Sequence, residues 1–97
     1  RMERRPILIN TARGALIDEA AVVAALLDGR LRGFGTDVAT VEPLSADHPF
    51  QALLGRPDAI VTPHVAWAGN VGMQKLCDRL IDSIEAFHAD TLAESPV

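Results

Sequence analysis

Ile7-Leu8-Ile9 is a short, uninterrupted apolar run that stops at Asn10. A run this short and this continuous reads as a strand buried on both faces, which is the pattern of a parallel sheet; an antiparallel strand would alternate apolar and polar residues. Two further segments read as strands, Leu31 to Val38 (LRGFGTDV) and Ala59 to Thr62 (AIVT), the second closed by Pro63. Between the first two, Asp18 can cap a helix with Glu19 in its first turn, and Ala20 to Leu27 are apolar throughout before Gly29 stops it. A helix with so little polar face is expected to pack between layers. Gly33 and Gly35 weaken the second strand and permit another backbone or a ligand to approach closely. Phe50 to Leu54 predicts one helical turn, and Met73, Leu76, Leu80, Ile84 and Phe87 recur at helical spacing, predicting an amphipathic helix from Val71 to His88 with a frayed tail from Asp90. Strand and helix in alternation predict an α/β fold: a three-stranded parallel sheet with right-handed crossovers and a long C-terminal helix. Three strands make a thin sheet, so cover for its second face is expected from a larger parent sheet.

The 97 residues are 48% hydrophobic and carry a formal net charge of −4, which disfavours a nucleic-acid partner. The nine Lys and Arg form no stripe; Arg1, Arg4 and Arg5 cluster, and Glu3 interrupts them. No apolar stretch reaches the roughly 18 residues of a membrane span, and no stretch of this sequence reads as a signal peptide. The single cysteine, Cys77, can form no internal disulfide, which suits the reducing cytoplasm. The chain begins at Arg1 rather than Met, and it is expected to be a piece of something longer. A domain this short buries only about 60% of its unfolded surface, so an exposed apolar face would favour self-association, most simply as a homodimer.

A parallel sheet brings the residues just after each strand to one edge, where open α/β folds keep their reactive groups. Those segments carry Arg13, then Asp37 and Glu42, then His64. An arginine grips a carboxylate through two hydrogen bonds, a histidine exchanges protons near neutral pH, and a carboxylate beside the ring fixes its tautomer. Each residue alone also has an ordinary reading. Arg13 reads as a solvated or capping charge, Asp37 as a turn cap, Glu42 as loop composition, His64 as a hydrogen-bonded surface residue and Trp67 as core or interface. The shared edge lifts the joint reading: proton transfer on a small carboxylate-bearing substrate. No G-x-S-x-G surrounds Ser45, Ser83 or Ser95, one cysteine makes no structural zinc site, and neither G-x-G-x-x-G nor a P-loop occurs.

The stretch INTARGALIDEAAVVAALLDGRLRGFGTDV, followed by VEPLSADHPF and IVTPHVAWAG, resembles the C-terminal part of the NAD(P)-dependent D-2-hydroxyacid dehydrogenases, most closely their glycerate dehydrogenase and hydroxypyruvate reductase branch. The resemblance runs from about Pro6 to Phe87. It implies the second half of a Rossmann-type domain over residues 1–97, belonging to a longer two-domain enzyme that uses NAD or NADP. It places the catalytic roles on Arg13 for the substrate carboxylate and carbonyl, Glu42 beside the histidine, and His64 as acid and base. It further implies that Asp37 holds the nicotinamide carboxamide, and that the backbone of Thr11, Ala12 and Arg13, with His64, lies along the nicotinamide. No metal is implied. The substrate would be a small 2-keto or 2-hydroxy acid, and Trp67 would shape the pocket or touch a partner subunit. Two departures stand out. Gly69-Asn70-Val71-Gly72 replaces the usual helix start, loosening it by about 1 kcal/mol per glycine. The G-x-G-x-x-G turn and the substrate domain, expected upstream, are not in this sequence. The second hypothesis is therefore a catalytically silent domain, stable only as an oligomer.

Overall fold

A computed structural model describes residues 3–89. The chain divides into two compact units, Arg1–Ala66 and Trp67–Val97. Residues 1–2 and the segment from Asp90, where fraying is expected, lie outside the described residues.

In the first unit, β1 (Ile7–Asn10), helix α1 (Glu19–Leu27), β2 (Gly33–Thr36), a 3-10 helix (Pro49–Leu53) and β3 (Ala59–Val61) follow in order. The three strands are parallel in the order β1-β2-β3, with Leu8 beside Phe34, Phe34 beside Ala59, and Asn10 beside Thr36. The second strand is shorter than the span Leu31 to Val38. Leu31 instead donates to the Ala25 carbonyl at 3.0 Å and helps close α1, while the Thr36 hydroxyl bonds the Val38 carbonyl at 2.8 Å and turns the chain out of the ladder. The Asp18 carboxylate caps α1 through the Ala21 amide at 3.0 Å. At its other end Gly29 takes φ +82°, the left-handed closure that glycine favours, and the Arg5 guanidinium bonds the Gly29 carbonyl at 2.6 Å.

Successive strands are added in one direction, so right-handed crossovers lay both connections over the same face of the sheet. The core forms there from Val23 and Leu26 of α1, Leu31, Phe34, and Phe50 and Leu53 of the 3-10 helix. The Phe34 and Phe50 rings pack with centroids 5.4 Å apart. The opposite face bears Ile7, Ile9 and Ile60, exposed by 53%, 68% and 68%. Ile7 and Ile9 lean towards Gly33 and Gly35, where a Cβ would stand 3.5 and 3.7 Å from their side chains. The cover expected on both faces is present on one alone among the described residues.

In the second unit, α2 spans Asn70–His88. Gly69 is its N-cap and, lacking a side chain, makes no cap hydrogen bond, so the helix begins without the polar start that Ser or Thr would provide. Leu76, Leu80, Ile84 and Phe87 form an exposed apolar stripe, and Gln74 bonds Asp78 one turn on at 2.8 Å.

Candidate active site

The edge at the carboxyl ends of the strands is built from three loops, each braced by a short polar side chain. After β1, the Asn10 amide donates to the Arg13 carbonyl at 2.9 Å while its oxygen accepts from the Ala12 amide at 3.2 Å, folding Thr11, Ala12 and Arg13 into a tight turn. Thr11, Ala12 and Arg13 are exposed, and the Arg13 guanidinium lies on the Ala12 carbonyl at 2.7 Å. Gly14 is pressed against the second loop. A Cβ there would sit 2.1 Å from the Ala39 carbonyl carbon and 2.3 Å from the Thr40 nitrogen, so only glycine allows the two loops this close.

After β2 comes Asp37, only 4% exposed. Its carboxylate accepts from the Thr62 hydroxyl at 2.6 Å and from the Val65 and Ala66 amides at 2.9 Å each. The Thr62 hydroxyl first, then the Ala66 and Val65 amides, hold this carboxyl below the usual aspartate range. The three donors straddle His64, which adopts φ +56°, a left-handed conformation that non-glycine residues seldom take. An outlier of this kind persists where its surroundings over-determine it, and Asp37 supplies that grip from both sides of the histidine.

Glu42 precedes a cis peptide bond to Pro43. One carboxylate oxygen accepts from the Ala39 amide at 2.9 Å, and the other meets His64 Nδ1 at 2.6 Å. The His64 hydrogen bond first, then the Ala39 amide, holds Glu42 below the ordinary glutamate range. An ionised carboxylate at that distance is an acceptor only, so Nδ1 carries a proton and donates it. Beside the pair lies a cavity of about 500 Å³ lined by Val38, Leu44, Leu54 and Val61 together with Asp37, Glu42 and His64.

The residues expected at the edge are thus disposed as follows. Glu42 and His64 are in direct contact, Asp37 braces the histidine loop, and Arg13, with Thr11 and Ala12, stands in the loop that Gly14 butts against Ala39 and Thr40. Trp67 is exposed and belongs to the second unit. Sequence reasoning missed Asn10, whose place at a strand end before a small-residue turn was the available signal, and Thr62, which carried none. It also missed the buried pair of Glu19 and His48, which the exposed Thr40 joins.

The residues present fit one end of a dinucleotide. Asp37 retains acceptor capacity beyond its three bonds, which suits an amide N–H₂ donor, and the Thr11–Ala12 backbone is exposed alongside. The phosphate end finds no match in α1, whose N-terminus carries the carboxylates of Asp18 and Glu19.

Residues 1–66 match the family described as "D-isomer specific 2-hydroxyacid dehydrogenase, NAD binding domain", and the first compact unit has the same span. The glycerate dehydrogenase of Methylorubrum extorquens is 52% identical over 89 residues, covering 92% of this chain and 28% of that enzyme. The hydroxypyruvate reductase of Blautia hydrogenotrophica is 37% identical over 97 residues, covering 100% of this chain and 28% of that enzyme. The crystal structure of the NADPH-dependent glyoxylate/hydroxypyruvate reductase of Sinorhizobium meliloti, in complex with NADP and malonate, aligns with a TM-score of 0.72 at 38% identity, over 96% of this chain and 28% of that one. The chain therefore spans about 28% of the length of these relatives.

Proposed function

Because the chain belongs to the D-isomer specific 2-hydroxyacid dehydrogenase family, we propose that it carries the acid/base machinery for NAD(P)-linked reduction of a small 2-keto acid of the hydroxypyruvate or glyoxylate class. The observation that carries this reading is the 2.6 Å contact between His64 Nδ1 and Glu42, on a loop held in a left-handed turn by Asp37. With Nδ1 committed to Glu42, His64 gives the substrate oxygen its proton from Nε2; Glu42 stabilises the imidazolium before transfer and keeps the neutral ring oriented through Nδ1–H afterwards. Arg13 leaves the Ala12 carbonyl to bind the substrate carboxylate and polarise the keto group. Asp37 and the Thr11–Ala12 backbone would hold the carboxamide end of the nicotinamide. When bound in its reduced form, that ring supplies the hydride that becomes the new C–H bond. The reverse direction returns the hydroxyl proton to His64.

The 28% span and the bare isoleucine face support a working form in which a further layer, bearing the glycine-rich phosphate turn, covers that side of the sheet. The exposed stripe of α2 supports a contact with a second copy in that form.

Replacing His64 by Ala tests the assignment. In the working form that includes the further layer, turnover of hydroxypyruvate or glyoxylate with NADH or NADPH is expected to fall by about 10²- to 10⁴-fold, the usual worth of a positioned acid/base group, with saturable cofactor binding retained in titration calorimetry. Unchanged turnover would remove His64 from the chemistry.

A further inference from the structure

We propose that Glu19, together with Thr40 and His48, is a positioning residue for the acid/base pair, a proposal that rests on the reading of His64 and Glu42 given above. Glu19 opens α1 yet is only 9% exposed, and the His48 side chain it meets is only 5% exposed. One Glu19 oxygen accepts from the Thr40 amide at 3.2 Å, and the other accepts from the Thr40 hydroxyl and faces His48 Nε2 at 3.3 Å. The tautomer of His48 follows from its second nitrogen. Nδ1 accepts from the Phe50 amide at 3.0 Å, so the ring proton is on Nε2 and points at Glu19.

Burying a carboxylate is unfavourable unless donors replace its water, and here three donors do so. Capping α1 does not account for the arrangement, because Asp18 already caps that helix. What the cluster does order is the loop leaving β2, which has no ladder of its own: Glu19 fastens it at Thr40 and again at His48. Glu42 lies between those two anchors. From the Thr40 anchor a short chain of contacts leads to the chemistry. Gly14 holds the Ala39–Thr40 peptide from the Arg13 side, the Ala39 amide holds one Glu42 oxygen, and the other Glu42 oxygen holds His64. The geometry therefore ties the first turn of α1 to the orientation of the His64 ring.

The test reads the His64 ring directly by ¹⁵N NMR of the 97-residue chain, with Glu42→Gln as the reference for a ring that has lost its carboxylate. Glu19→Gln and Thr40→Val each break the tether at a different point, and both are expected to move the His64 ring-nitrogen signals towards those of Glu42→Gln. Thr40→Ser restores the hydroxyl and is expected to keep the wild-type signals. If Glu19→Gln and Thr40→Val remain folded by circular dichroism and leave the His64 signals in place, the proposal fails. If both unfold, it fails as well, because the cluster is then a requirement of folding and not a device of position. The ring signals are independent of turnover, so a silent His64→Ala result would overturn the catalytic reading while leaving the coupling between Glu19 and His64 measurable.

Discussion

The carboxylate of Asp37 accepts three hydrogen bonds from the loop that carries His64, and Glu42 accepts from the ring itself, so both are bound more tightly when ionised than when protonated. Their folded-state pKa values lie below the ordinary 3.8 of aspartate and 4.5 of glutamate. The stability they contribute is complete above those ordinary values and is lost as the pH falls through the lowered folded-state values, where the last carboxylates take up protons. An acid titration of unfolding free energy is expected to show this loss, and Asp37→Asn is expected to shrink it. A stability curve flat across that window would mean that the three donors do not hold Asp37 in solution. The place of Arg13, Glu42 and His64 at one edge was legible in the sequence because a parallel sheet brings the segments after its strands together. The bracing of Asp37 was not, since two of its three partners are backbone amides, which carry no signal of residue type. The Glu19 and His48 pair was hidden by a separation of 29 residues and by a glutamate that fits a helix start without further explanation.

Among the elements, α1 and α2 lie within a residue of where capping and periodicity put them; β1 takes in Asn10 beyond its apolar run, while β2 and β3 are shorter than the spans Leu31 to Val38 and Ala59 to Thr62. The difference is physical: apolar residues at strand ends serve the core or a helix closure as readily as a ladder, as Leu31 and Val38 do. The 3-10 helix Pro49–Leu53 is brief, but it supplies the two largest fully buried side chains among the described residues, Phe50 and Leu53. Phe50 packs on Phe34 of the central strand and on the His48 ring, whose centroid is 4.8 Å away, so it joins the core to the tether of the active loop. Phe50→Ala is expected to destabilise the fold by about 3–5 kcal/mol, the cost of emptying a fully buried aromatic site. Urea denaturation measures this. A loss below about 1 kcal/mol, the level of an average substitution, would show that the element is not a core element in solution.

Over the whole chain, the topology was readable from the alternation of strands and helices, but not the fact that both crossovers of the first unit fall on one side of its sheet. That follows from strand order, which depends on how successive strands are added and not on any single residue. The consequence reaches the thermodynamics of unfolding. Ile7, Ile9 and Ile60 already face water in the folded chain, so denaturation uncovers less new apolar surface than it would in a sheet layered on both sides. The dependence of unfolding free energy on urea, and the heat-capacity increment that accompanies it, are both expected to be shallow for the chain's length and to steepen when another layer settles over the isoleucines. A urea slope as steep as that of a fully layered α/β domain of equal length would show that something in solution already shelters them.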